Sequence, residues 1–400
     1  MSTLAVRLGA STVGTLEYFE DEEEYQLVFD DGWLGAPDRP VLGQFFEDRR
    51  PRPVHYVGPP CWFSHLLPQG PLRRAIARAL GVGDNSEYAL YEFLGADLPG
   101  AVLLTPQADA SVRRAPRRVV REVAEDFPWR SALAGMQLKM SVQKRERGVV
   151  IPVRGAQGDM IAKFHSPDFK DLPRVEHATM SWARAAGVET PPFELGSIGD
   201  IGELPESTPT GDGRVYLIER FDRREGGSVR VHFEDFAQVL DRPLTQIYDD
   251  PPLKNRHEAI GAVIAALCPE DVRPFIERVV FCALAGNGDA HLKNWALLYP
   301  DGRRPRLAPA YDLVSTVLYP RVDDHLALSL NDTRRFEDVR VDSFGPMARA
   351  CNIEFEVVSA WVRDAATRTR STWASQRAQL GYTSAEVARI DRHLARVPLP

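Results

Sequence analysis

The segment Gly286-Asn287-Gly288-Asp289-Ala290-His291-Leu292-Lys293-Asn294, followed by Pro309-Ala310-Tyr311-Asp312, constrains this chain more than any other stretch. Upstream, Val272, Phe275, Ile276, Val279, Val280 and Ala283 recur at helical spacing, which predicts a buried helix running into the Gly-Asn-Gly loop. After Asn294 an apolar run, Trp295 to Tyr299, leads to Asp301-Gly302, a hairpin turn signal, and Arg306-Leu307-Ala308 returns towards Asp312. Buried helix, polar loop, hairpin and carboxylate together place Asp289, Asn294 and Asp312 at one end of a small sheet. Taken singly, Asn-Gly-Asp reads equally well as a plain turn and Asp312 as a helix cap. Their succession is what carries chemistry.

That chemistry is phosphoryl transfer from a nucleotide. The reaction asks for a carboxylate beside the accepting hydroxyl, and for an Asn and an Asp to hold the metal that neutralises the phosphates. Asp289, Asn294 and Asp312 stand in that order, and the expectation is an ATP-dependent phosphotransferase.

Four hundred residues exceed one compact core, so two or three domains are expected. A net charge of −7 argues against non-specific nucleic-acid binding by the whole surface. An arginine cluster at Arg113, Arg114, Arg117, Arg118 and Arg121 reads as a solvated linker face or as a phosphate or DNA contact. Cys61, Cys268, Cys282 and Cys351 show no CxxC pairing and lie mostly in apolar surroundings, as reduced buried thiols do. Met1 to Gly14 alternates like a strand and lacks the apolar stretch of a signal peptide, and the longest apolar run, near Ile260 to Leu267, is too short to span a bilayer. The expectation is a cytoplasmic protein with no membrane partner.

The pattern along the chain divides it into residues 1–105, a small α+β N-terminal subdomain; 106–130, an arginine-rich linker; 131–224, a β-rich nucleotide-binding N-lobe; and 225–400, a helical catalytic C-lobe. Leu4–Leu8 and Tyr25–Phe29 read as strands around an acidic tip, Glu20 to Glu24, and helices follow around Leu72–Leu80 and Tyr88–Leu94. In the N-lobe Met136, Leu138, Met140 and Val142 alternate, Val149–Val153 and Met160–Phe164 are apolar runs, and Val175, Thr179, Trp182 and Ala186 share one helix face before Pro191-Pro192. The fold class expected is α+β, a bilobal kinase-like fold with nucleotide in the cleft between the lobes.

On these residues the chain resembles the HipA-like serine/threonine kinases, toxins of bacterial toxin–antitoxin modules. Trp62-Phe63-Ser64-His65-Leu66-Leu67-Pro68 and Gly95-Ala96-Asp97-Leu98-Pro99-Gly100-Ala101 look like that family's N-terminal subdomain. Ala134-Gly135-Met136-Gln137-Leu138-Lys139 matches its nucleotide loop loosely, whereas Glu219-Arg220-Phe221-Asp222-Arg223 and the Asp289 and Asp312 segments match closely. The resemblance implies roles. Asp289 would orient the substrate hydroxyl and accept its proton, and Asn294 and Asp312 would ligate Mg²⁺. Lys163 would reach the α/β-phosphates and Glu176 would pair with it, though Lys163 also reads as a plain surface lysine. Gly135 and Gln137 would line the nucleotide loop, and Glu219 and Phe221 would meet the adenine; Glu-Arg-Phe-Asp-Arg equally suits a strand end with surface ion pairs. His291 is counted with the nucleotide-binding residues and is open between a second base and a brace for the loop, and Lys293 between a γ-phosphate contact and solvent.

One position departs from the family. Where it commonly carries an autophosphorylated serine, three residues before the loop glycine, this chain has Ala132, with Ser131 one residue out of register. The resemblance further implies a protein substrate in the translation apparatus, an aminoacyl-tRNA synthetase first. It also implies a small helix-turn-helix antitoxin through which alone DNA would be contacted. Two other readings share the same residues: a small-molecule phosphotransferase of the aminoglycoside-kinase kind, and a catalytically idle co-repressor subunit of a DNA-bound complex.

Overall fold

The computed structural model describes residues 1–47, 54–107, 138–145, 148–150, 158–202, 204, 208–249, 256–320 and 324–400. The N-terminal unit comprises strands β1 (Ser2–Leu8), β2 (Ser11–Phe19), β3 (Glu24–Phe29) and β4 (Val54–Val57), helices α1 (Gly70–Leu80) and α2 (Glu87–Leu94), and β5 (Val102–Pro106). The strands form one antiparallel sheet in the order β4-β3-β2-β1-β5. Strand alternation turns Leu4, Val6 and Leu8 of β1 and Leu27 and Phe29 of β3 to a core closed by α1 and α2. The alternation over Met1 to Gly14 is two strands, not one: the chain turns at Gly9-Ala10, and β2 runs on to Phe19. It forms because it pairs on both sides, Leu16 opposite Leu4 and Leu27, and Gly14 lies so close to the Val28 carbonyl that a side chain there would collide.

The second unit is a sheet of β6 (Lys139–Arg145), β7 (Gly148–Val150), β8 (Met160–Lys163), β9 (Phe193–Ser197), β10 (Ile201–Gly202) and β11 (Arg214–Glu219), with helix α3 (Leu172–Ala185) between β8 and β9. Its order is β10-β7-β6-β8-β11-β9. Met140, Val142, Met160, Ala162, Val215 and Leu217 fill one face. Tyr216 and Ile218 point to the other, which α3 covers with Val175, Ala178 and Trp182.

The third unit contains β12 (His232–Asp235), α4 (His257–Leu267), α5 (Val272–Ala285), β13 (Ala296–Tyr299), β14 (Arg306–Leu307), α6 (Phe355–Gln376) and α7 (Ser384–Arg396). Helix α5 is apolar on nearly every side and correspondingly buried, the mark of a central helix. It ends at Gly286, whose φ of 65° is left-handed and whose missing side chain makes room for Val317. β12, β13 and β14 form the small sheet that follows, Glu234 opposite Leu297 and Leu297 opposite Leu307. The Asp301-Gly302 turn joins β13 to β14, with Asp301 accepting from the Arg303 and Arg304 amides at 2.9 and 2.8 Å.

The N-terminal unit meets the third unit through buried polar contacts. The Glu234 carboxylate accepts from the Gln44 amide (2.9 Å), Trp62 Nε1 (3.2 Å) and the Tyr299 hydroxyl (2.5 Å). His232 Nε2 donates to the Leu42 carbonyl at 2.8 Å, and His65 Nε2 to the Arg242 carbonyl at 2.6 Å. All four cysteines are free; Cys268, Cys282 and Cys351 are buried and Cys61 is half-buried. Among the described residues no helix is long and apolar enough to cross a membrane.

Candidate active site

The loop after α5 is built from its own backbone. Asn287, fully buried, accepts the Asp289 amide on Oδ1 at 3.0 Å, which turns the chain so that Asp289 emerges half-exposed. The Asp289 carbonyl then accepts from the His291 amide (2.8 Å) and from Asn294 Nδ2 (2.7 Å). Asn294 thus spends its amide nitrogen within the loop, and its Oδ1 takes no bond from the described residues. On the far side Gly288 donates to Thr316 Oγ1 at 2.7 Å, and the Val317 amide to the Gly286 carbonyl at 3.1 Å. The segment following Asp312 is therefore stitched to the loop that carries Asp289. Tyr311 completes the join by donating its hydroxyl to the Lys293 carbonyl at 2.7 Å.

Asp312 does not cap a helix. Its φ of 55° is left-handed, and its carboxylate bonds the Lys163 ammonium, which also bonds Glu176. Register explains the meeting. Lys163 lies directly opposite Lys139 on β6 and Tyr216 on β11, so all three side chains leave the same face of the sheet, the one that α3 and Glu176 cover. Lys139 reaches 3.9 Å from the other Asp312 oxygen. Two lysines on adjacent strands are tolerated because Asp312 meets both and Glu176 adds a second carboxylate on Lys163. Burial pushes Lys163 down, but Asp312 and Glu176 outweigh it and hold it above the ordinary lysine range. Burial alone would raise Asp312; Lys163 and Lys139 keep it well below the usual carboxylate range. Glu176, wholly enclosed, is pushed up to about 7 by burial, with the lysine opposing.

Of the remaining predicted positions, Glu219 ends β11 with an exposed side chain, its amide bonded to the Pro192 carbonyl at 2.8 Å. The Phe221 ring is half-buried against Phe233 and Tyr311, with centroids 5.1 and 5.4 Å away. The charges around it are not surface ion pairs. Arg220 forks onto Asp222 at 2.9 and 2.8 Å, and Asp222 also takes Arg223 (2.7 Å) and the Gly100 amide (2.9 Å), all of it buried. Glu-Arg-Phe-Asp-Arg is thereby locked onto Asp97-Leu98-Pro99-Gly100 of the N-terminal unit, Arg223 donating to the Leu98 and Gly100 carbonyls at 3.0 and 2.9 Å.

Lys293 meets neither alternative foreseen for it in full: it does not face solvent, but is buried and donates to Asp235 (2.6 Å) and to the His65 carbonyl (3.2 Å). The His291 ring does not brace the loop through its nitrogens. It stands edge-on to Tyr248 at 4.9 Å with Nδ1 unpartnered among the described residues, and burial lowers its pKa. Gly135, Gln137, Ser131 and Ala132, the Arg113–Arg121 cluster and part of the Val149–Val153 run lie outside the described residues.

Three contributors were missed. Lys139 was noted only as part of a motif, although it is a second cation at Asp312. Tyr311, next to Asp312, carries no sequence signal for its bond to the loop. Tyr248, whose hydroxyl donates to Asp289 Oδ1 at 2.6 Å, sits in a stretch with no periodic signal to mark it.

Among the described residues no group of three or more His, Cys, Asp or Glu side chains could hold a metal ion. Asp312 and Asn294 offer one carboxylate and one amide oxygen, hard ligands that suit magnesium alongside phosphate oxygens. The two lysines suit the phosphates themselves, so the residues present fit a magnesium–nucleotide pair.

A β-rich lobe with one covering helix, a helical lobe carrying the Asp-Asn-Asp loop and hairpin, and a small α+β unit locked to both define an α+β protein of bilobal kinase-like fold. Family profiles assign residues 4–105 to the HipA N-terminal domain and residues 131–373 to the HipA-like C-terminal domain. The chain belongs to the HipA-like family. It is 34% identical over 409 residues to the putative kinase Y4dM of Sinorhizobium fredii, covering 100% of this chain and 98% of that one. It is 23% identical over 367 residues to the serine/threonine-protein kinase toxin HipA of Shewanella oneidensis, covering 82% and 79%. The solved structure of Shewanella oneidensis HipA, in complex with HipB and operator DNA, superposes with a TM-score of 0.73 at 19% identity, covering 99% and 96%.

Proposed function

We propose that this chain is an ATP- and Mg²⁺-dependent serine/threonine protein kinase. We propose further that it acts as a growth-inhibiting toxin on a translation factor, an aminoacyl-tRNA synthetase being the first candidate. The observation that carries the reading is the bond network in which Lys163 of one lobe grips Asp312 of the other, beside a loop that presents Asp289 and Asn294. A structural ion pair needs one carboxylate. Here a lysine pair and two carboxylates meet, and one carboxylate, Asp312, leads into a segment bonded to that loop.

Each residue then has a task. Asp289 receives the proton of the acceptor hydroxyl, which its half-exposed carboxylate can reach. Lys163, held charged and aimed by Glu176, would neutralise phosphate oxygens, with Lys139 as a second cation. Asn294 and Asp312 would hold the metal, which when bound offsets charge on the phosphates. The adenine would lie near Phe221 and the Glu219 backbone, with Gly135 and Gln137 over the phosphates.

A small antitoxin is the partner this reading calls for, in keeping with the relative solved together with HipB and operator DNA. DNA contact would belong to that partner. With Ala132 where the family commonly has a phosphorylatable serine, the purified chain would carry no loop phosphate, which intact-mass spectrometry checks.

The test is transfer of label from [γ-³²P]ATP in a lysate of cells lacking the protein. Label on a protein band is the expected result. Label only on a small molecule would make it a small-molecule phosphotransferase, and no transfer an idle co-repressor.

A further inference from the structure

The Asp289 carboxylate is not alone. Tyr248 donates its hydroxyl to Asp289 Oδ1 at 2.6 Å, a short bond to a charged acceptor. The tyrosine is pinned from both sides along its own chain. The preceding residue, Ile247, accepts the Leu292 amide of the catalytic loop at 3.1 Å, and the following one, Asp249, donates its amide to the Ala327 carbonyl at 3.0 Å. Its ring is further fixed edge-on against His291, 4.9 Å away at 85°. A side chain so anchored cannot follow the carboxylate if the carboxylate turns; the carboxylate must stay with it.

The other oxygen, Oδ2, takes no bond from the described residues, and Asp289 is half-exposed. We infer that Tyr248 is a positioning residue: by holding Oδ1 it fixes the rotation of the Asp289 carboxylate and leaves Oδ2 to the acceptor hydroxyl. This rests on the reading of Asp289 as the residue that takes the acceptor's proton. Loop bonds already set the Asp289 main chain, so the Tyr248 hydroxyl acts on the side-chain torsions that remain. A carboxylate free to turn would spend much of its time misaligned, and small misplacements at reacting groups cost rates of order 10²-fold.

The experiment uses the full chain and its Tyr248→Phe variant, which keeps the ring against His291 and removes only the hydroxyl. Two quantities are read: the initial rate of label transfer from saturating [γ-³²P]ATP into protein of the lysate described above, and the affinity for a fluorescent ATP analogue. The expected result is a rate lowered by about 10- to 100-fold with nucleotide affinity unchanged within about twofold. In an Asp289→Asn background, adding Tyr248→Phe should lower the residual rate by less than about twofold, since the residue acts through the carboxylate. Tyr248→His, which offers a ring N–H, should recover part of the loss. A Tyr248→Phe rate equal to wild type, a rate above it, or an equal loss of rate and nucleotide affinity would each overturn the inference. Should Tyr248→Phe fail to fold, as judged by its melting curve, the Tyr248→His rate decides: one as low as that of Asp289→Asn overturns the inference, and a rate between that and wild type supports it. If instead Asp289→Asn keeps full activity, it is the functional reading that fails.

Discussion

From Asn287 to Asn294 the turn around Asp289 is set by near neighbours, Asn287 to Asp289 and Asp289 to His291 and Asn294, and other bonds then tie the loop to Thr316, Tyr311 and Ile247 of the same lobe. At the seam with the N-terminal unit the partners are distant in sequence and mostly charged or buried polar groups: Asp222 with Gly100, Glu234 with Trp62 and Gln44, Lys293 with His65. The local turn therefore presents Asp289 without a buried charge pair of its own. The seam is where the fold is exposed to single substitutions, because each buried charge there depends on a few specific partners. Chemistry and architecture should accordingly be separable by mutation.

The largest effect on stability is expected at Asp222. Burial alone would raise its pKa, but Arg220 and Arg223 hold it well below the carboxylate range, so Asp222→Asn leaves two buried guanidinium groups short of their counter-charge. A loss of about 3–5 kcal/mol is expected by chemical denaturation. A loss below about 1 kcal/mol would mean that the seam is not the brittle region.

Next comes Asp312→Ala. It removes a proposed metal ligand, and Lys163 retains Glu176, so affinity for ATP in the presence of Mg²⁺ should fall about 10- to 100-fold. Calorimetry with and without Mg²⁺ checks this; equal Mg²⁺ dependence in variant and wild type would return Asp312 to a purely structural part.

A smaller effect follows from His232. Burial lowers its pKa to about 4, while its Nε2 donates to Leu42 across the seam. The unfolded chain takes up a proton near pH 6.5, whereas the folded one does so only near its depressed value. The stability contribution is therefore complete above about pH 6.5 and is lost as pH falls towards 4. His232→Gln keeps a donor for Leu42 and does not titrate. The stability gap between wild type and this variant should narrow by about 2 kcal/mol between pH 7 and pH 5. A constant gap would show that His232 does not couple the seam to pH.

Least of all is Glu219→Ala, where the side chain is exposed and the backbone amide carries the fixed bond. ATP affinity is expected to change by less than about threefold and stability by less than about 0.5 kcal/mol. A tenfold loss of affinity would assign the carboxylate itself a nucleotide contact.

What could be read from sequence follows the same division. Asp289, Asn294 and Asp312 were legible because helix, loop and hairpin succeed one another along the chain and local pattern orders them. Lys163 and Glu176 were legible as a strand end and a helix start, and the structure joins them. The burial of Arg220, Asp222 and Arg223 was not legible, because a bare run of alternating charges looks the same on a surface. Nor were Tyr248 and Lys293, whose partners Asp289 and His65 lie 41 and 228 residues away. β2 as a separate strand escaped for a related reason: two neighbouring strands, not its own composition, make it a strand.

The most direct test sets chemistry against architecture in one protein. Asp289→Asn preserves the shape of a half-exposed side chain, so its melting temperature should match wild type within a few degrees and its ATP affinity within about twofold. Transfer of the γ-phosphate from labelled ATP should meanwhile fall by at least about 10³-fold, the loss expected when positioning and proton acceptance vanish together. Retention of more than about a tenth of wild-type transfer, with the fold and ATP affinity intact, would contradict the assignment of Asp289 and with it the account of this site.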